Sequence, residues 1–197
     1  MNLTKTQVAR RQLGTALELF LDDLDPVSVH VLACAGGEIA EHLSRKKGSL
    51  PFLSHALATF RDLDETQFRR LRNQFSNAFK HATTHRGKER DDRKLLGRFN
   101  DLQNDHALFV GWYDYANAAQ RLPLEAQIFQ VWYFALYAEK LGDNVDRTPY
   151  EKTFPKLPKL SRKRQKQALR HVIAEHRKDT DLMSDPKTER LALIITG

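Results

Sequence analysis

The sequence has one cysteine, Cys34, in 197 residues. No disulfide can form within the chain, and Cys-rich zinc modules are excluded. Its longest nearly apolar stretch, Ile128 to Ala138, is 11 residues and contains Gln130. A membrane-spanning helix needs roughly 20 apolar residues, so no membrane span is expected. The opening stretch, MNLTKTQVARRQLGT, has no apolar core of signal-peptide type. Together these point to a soluble protein of a reducing, cytoplasmic compartment. Period-2 alternation is missing from residues 1–141, and no internal repeat occurs, which argues against a sheet-dominated fold or a solenoid. Common enzyme motifs are also missing. There is no Gly-x-Gly-x-x-Gly, no phosphate loop ending in Gly-Lys-Ser/Thr and no Gly-x-Ser-x-Gly. No cofactor is implied.

Helical periodicity and a lopsided charge are what the sequence does have. Its net charge is +7, and residues 147–197 carry 13 basic and 6 acidic side chains, so the rest is neutral. The densest stretch, Pro155 to Lys178, holds nine basic residues and one acidic. Such asymmetry points to a polyanion partner, to an acidic protein partner or to a solvated arm. Apolar spacing and capping residues predict six helices in residues 1–142. Asn2 or Thr4 caps the first, which runs to about Leu21. Asp25 and Pro26 open the second, which runs to about Arg45. Gly36-Gly37 in its middle either permits close helix contact or marks a kink. Pro51 to Phe60 forms a third. Asp64 caps a fourth, Glu65 to about Thr83, with Phe68, Leu71, Phe75 and Phe79 as its apolar stripe. Residues 85–98 read as a charged loop ending in a helical turn. The fifth runs from about Asn100 to Gln120. The sixth, from Pro123 to about Leu141, is apolar nearly all round and reads as the central helix. Residues 143–160, with Pro149, Pro155 and Pro158, read as a linker. Ser161 opens a basic helix in residues 161–197, and LALIITG ends the chain as a short strand or docked tail. The expected fold is an all-α helical bundle of about six helices with a basic C-terminal helical appendage.

Three groups of residues carry candidate chemistry. On the fourth helix, Arg70, Asn73, Asn77 and His81 fall on one face at about 100° per residue. A basic residue, two amides and an imidazole can bind phosphate and move a proton; a solvated face is the plainer reading. On the second helix, His30, Cys34, Glu38 and His42 follow one another at spacing four. His30, Glu38 and His42 are metal-ligand types, yet the line drifts by about 40° per step, and a partly buried polar seam is favoured. The basic segment offers Lys159, Arg162, Lys163, Arg164, Lys166, Arg170 and Arg177 as phosphate contacts. Such contacts give affinity without sequence choice. Leu169, Val172 and Ile173 form a short strip by which that helix can dock. The absence of stacking aromatics argues against a dedicated single-strand reader.

The stretch ARRQLGTALELFLDDLDPVSVHVLACAGGEIAEHL, with NAFKHA further on, resembles a group of bacterial helical proteins over residues 9–141. They share an Asp-Pro-x-Ser-x-His helix start and an Asn-x-x-Lys-His-Ala helix. This resemblance implies the helical fold and no mechanism. Thr83-Thr84 stands here where that group has an acidic residue. A looser resemblance is to HEPN-type helical proteins, many of them metal-independent ribonucleases whose Arg and His meet across a dimer. Arg72-Asn73 and His81 echo their motif, with eight intervening residues instead of four to six. Arg170 to His176 and Arg164 to His171 have the family's spacing, at the frequency that composition alone produces. The leading expectation is a helical binding module that contacts RNA, DNA or an acidic protein through its basic segment. The alternatives are an HEPN-like ribonuclease, which implies a homodimer, and a metal- or ligand-binding bundle.

Overall fold

The computed structural model describes residues 2–62, 64–142 and 144–196. Among them the protein is all-α, with ten α-helices and one two-stranded parallel sheet. None of these helices is long and apolar enough to cross a membrane. Two compact units divide the chain, Met1–Gln120 and Arg121–Gly197.

In the first unit, α1 (Lys5–Leu21) starts at a capping box, in which Thr4 and Gln7 satisfy each other's backbone N–H groups. Asp25 caps α2 (Pro26–Lys46) by accepting from the Val27 and Ser28 N–H groups. The core of this unit is α1, α2 and α6 (Leu102–Ala119). α2 stays helical through Gly36-Gly37, and the pair serves close contact. A Cβ on Gly36 would lie 2.8 Å from Leu13 Cγ, and one on Gly111 would lie 2.6 Å from Leu13 Cδ2. One leucine of α1 thus seats against two glycines on two neighbouring helices. Contacts of His30 with Asn104 and of Gly37 with Gly111 show that α2 and α6 run in the same direction.

α3 (Phe52–Thr59) has no side-chain cap of its own. α6 supplies one: the Phe52 N–H donates to Asp114 Oδ1 at 2.8 Å, while Asn117 Nδ2 donates to Leu50 O at 3.2 Å. A second capping box, Asp64 with Gln67, starts α4 (Glu65–Lys80). α4 ends three residues before its expected limit at Thr83. The chain then reverses through a hairpin, with an antiparallel bridge between Thr83 and Glu89, before the short α5 (Arg93–Leu96). α6 ends where Gln120 takes a left-handed conformation (φ 61°).

The second unit opens with β1 (Leu122–Pro123), which pairs in parallel with β2 (Thr188–Glu189). Its hub is α7 (Leu124–Leu136), against which α8 (Thr148–Thr153), a 3-10 turn at Leu157–Lys159 and α9 (Arg162–His176) pack. α10 (Thr180–Ser184) precedes β2. The apolar helix expected at the centre of a 1–142 bundle therefore belongs with the basic segment. Composition reads 143–160 as a linker, but Phe154 and Leu157 in it are buried. Apolar side chains separated by prolines form turns that still close over α7. LALIITG forms no strand among the described residues; Leu193 in it is buried. Asp143 and Gly197, which bound the expected linker and tail, lie outside the described residues.

Candidate functional site

The polar network of the first unit is built where α4 docks on α2. Glu41, 3 % exposed, receives three arginines. Arg72 Nη1 donates to its Oε2 at 2.6 Å, Arg69 Nη2 to its Oε1 at 2.7 Å, and Arg45 Nη2 to the same oxygen at 3.2 Å. Burial alone would raise the Glu41 carboxyl; the hydrogen bonds and charges of Arg72 and Arg69 outweigh it and hold the group below its ordinary value. Beside it, Asn73 Nδ2 donates to Glu38 Oε1 at 3.1 Å, and Arg72 Nε donates to Asn73 Oδ1 at 3.2 Å. α4 is thus turned so that Phe75 and Ser76 are buried, whereas Leu71 of the expected apolar stripe is 53 % exposed. This orientation both pairs the buried Glu41 carboxylate with Arg69 and Arg72 and packs Phe75 and Phe79 against His30.

Of the expected face on α4, Arg70 and Asn77 are exposed and Asn73 is tied to Glu38. His81 lies just past the helix in extended backbone (φ −128°, ψ 112°), its N–H donating to Asn77 O at 3.1 Å. The helical face therefore ends before the imidazole. Arg72, the arginine of the HEPN-like spacing, has its guanidinium engaged by Glu41 and Asn73.

The line on α2 is likewise divided. His30 is buried, and its Nδ1 lies 3.0 Å from Asn104 Oδ1. Asn104 Nδ2 donates to Pro26 O and to Asp101 Oδ1, so its oxygen is the acceptor and His30 Nδ1 carries the proton. Phe75, Phe79 and Phe99 present T-shaped contacts to the ring. Burial lowers the His30 pKa, against the Asn104 hydrogen bond. The ring is a neutral packing element. Burial pushes the Cys34 thiol up to about 11, which removes it as a nucleophile at neutral pH. Glu38 faces Asn73, and His42 is exposed. Among the described residues, no group of three or more His, Cys, Asp or Glu side chains is placed to hold a metal.

In the second unit, α9 docks by the strip that its sequence predicts, with Leu169 and Ile173 buried. The anchors extend further. Trp132 Nε1 on α7 donates to Gln165 O at 3.0 Å, the Arg162 guanidinium lies 5.5 Å from the Trp132 ring centre, and Arg177 pairs with Glu125. Three of the seven expected phosphate contacts are thereby redirected. Lys166 is only 2 % exposed, Arg162 covers Trp132, and Arg177 binds the buried Glu125 carboxylate. Helical spacing puts Lys166 on the same side as Leu169 and Ile173, which is why the docking strip takes it inward. Arg170 is half-buried. Lys159, Lys163 and Arg164 are exposed, and the outer face also presents Lys156, Gln167 and His171.

Sequence reasoning missed Glu41, Arg45, Arg69, Asn104 and Asp114. Asp114 is fully buried; its Oδ2, Ser44 Oγ and Arg72 Nη2 have no hydrogen-bond partner among the described residues. Burial pushes the Asp114 carboxyl up to about 6, against the Phe52 N–H bond. The one available signal was a carboxylate, Glu41, among apolar positions of α2. Compared with protein-family models, characterised proteins and solved structures, the chain matches none.

Proposed function

We propose that the second unit binds the phosphate backbone of RNA or DNA through the outer face of α9 and the turn before it. One observation carries this reading. α9 is pinned to α7 by Leu169, Ile173 and the Trp132–Gln165 bond, while Lys159, Lys163 and Arg164 stand exposed on the other side. Cations held on an anchored helix lose little freedom on meeting phosphates, and each phosphate neutralised releases counterions. No aromatic side chain of Phe, Tyr or Trp type occurs between Ser161 and Lys178. The contact is therefore with backbone phosphates, without base stacking or sequence choice. A cytoplasmic location goes with this reading, supported by the lone thiol.

The test is fluorescence anisotropy of a labelled 20-base-pair DNA duplex and a 20-nucleotide RNA over 50–200 mM salt. The full chain is compared with a Lys159→Ala/Lys163→Ala/Arg164→Ala variant. The expected result is a log K against log salt slope shallower by about 2.7 on the duplex, at about 0.9 per phosphate contact. Equal slopes for the two proteins would refute it and turn attention to an acidic protein partner. RNA recovered at full length keeps the role one of binding; shortened RNA would assign a hydrolytic one.

A further inference from the structure

α9 is not the only place where cations stand exposed. After α4 the chain reverses in a hydrogen-bonded hairpin. The Arg90 N–H donates to Ala82 O at 3.0 Å, Thr84 N–H to Lys88 O at 2.7 Å, and Gly87 N–H to Thr84 O at 2.9 Å. The Thr84 hydroxyl oxygen accepts from the Lys88 N–H at 3.2 Å. Gly87 takes φ +73° at the tip, and nothing lies within 4 Å of where its Cβ would be. The tip residues 85–88 are exposed, and backbone bonds set the shape of the turn.

Its charge is one-sided. Lys80, His81, His85, Arg86 and Lys88 are all exposed, and Glu89 is the only acidic residue between Lys80 and Arg90. The next two acids are taken up locally: Asp92 by Arg90 at 2.6 Å and Asp91 by Arg93 at 3.0 Å. Lys80 also meets the negative end of the α4 dipole, which accounts for that residue alone. Among the described residues, the Arg86 and Lys88 side chains have no such structural duty. They flank Gly87 in an exposed, hydrogen-bonded turn, which holds two cations side by side where phosphates can reach them.

We infer that this hairpin tip, residues 85–88, is a second phosphate-contacting element, carried by the first unit and separate from α9. Arg86 and Lys88 contact backbone phosphates of a duplex. The inference needs no contribution from α9, and its test separates the two.

The test uses the full chain with Arg86→Ala/Lys88→Ala, in the wild-type background and in the Lys159/Lys163/Arg164 triple-alanine background. The probe is the same labelled 20-base-pair duplex, over the same salt range. The expected result is a slope shallower by about 1.8 in both backgrounds, at about 0.9 per phosphate. The charge-conserving Arg86→Lys/Lys88→Arg variant is expected to restore the slope. Far-UV circular dichroism checks that the fold is retained, which open space around the tip favours. A double variant whose slope equals its parent's in both backgrounds overturns the inference, whatever the triple variant does.

Discussion

Replacing Asp114 with asparagine should stabilise the first unit at neutral pH and leave it nearly unchanged in acid. Asp114 is fully buried on α6, and burial pushes its carboxyl from 3.8 up to about 6. One pH unit between folded and unfolded values is worth about 1.4 kcal/mol, so ionising this group in the fold costs about 3 kcal/mol. The sign follows from proton binding. Between pH 4 and 6 the folded state holds more protons at this site than the unfolded chain. Stability is therefore greatest below the unfolded value, falls as pH rises through that window, and is flat above 6. The amide of an Asp114→Asn variant would keep an oxygen for the Phe52 N–H, which caps α3 from outside, and would carry no charge. The assay is urea unfolding at pH 4 and pH 7.5, followed by Trp112 fluorescence in a Trp132→Phe background, so that the signal reports the first unit. Relative to its parent, Asp114→Asn should gain about 2–3 kcal/mol on going from pH 4 to pH 7.5. Titrations of groups not coupled to Asp114 cancel in that difference; the coupling to Glu41 stays within it. If the gap between variant and parent is the same at both pH values, the carboxyl titrates normally and its burial has no electrostatic cost.

Two further substitutions test the packing around it. Glu41→Gln leaves Arg69, Arg72 and Arg45 without their shared charge and should cost about 2–3 kcal/mol by urea unfolding at pH 7. This is less than the loss in a fully enclosed pair, because Arg69 and Arg45 keep contact with water. Because the Glu41 carboxyl is held below its ordinary value, the loss should shrink as pH falls through the folded value; a loss constant down to pH 3 would dismiss the ion-pair account. Gly111→Ala sets a Cβ 2.6 Å from Leu13 Cδ2. It should destabilise by about 1–3 kcal/mol although alanine is the better helix former by about 1. In a Leu13→Ala background that penalty should largely vanish, and a penalty of unchanged size there would place the clash elsewhere.

Local signals in the sequence reached far into this fold. Thr4, Asp25 and Asp64 sit at the helix starts that they cap. Leu169 and Ile173 identify the docking side of α9 before any partner is known. These features depend on residues within four positions of one another, so the chain displays them directly. The candidate sites were less legible. The inward placement of Arg72 goes with its pairing to Glu41, which lies 31 residues away and meets it only after docking. The neutral state of His30 follows from its burial, with Phe75, Phe79 and Phe99 against the ring, and its tautomer from Asn104, 74 residues on.

The grouping of α7 with α9, and with it the boundary at Gln120, was equally a matter of tertiary contact. An apolar helix announces that it will be buried, and not by what. Likewise a basic helix announces its charge, but Lys166 goes inside and Lys163 stays outside because α7 covers one side of it. The all-helical class, most helix limits and the concentration of positive charge are each sums over neighbouring residues, and the linear chain suffices to set them. Which charges remain for a ligand is set by packing, because pairing and desolvation act between segments that the chain keeps far apart.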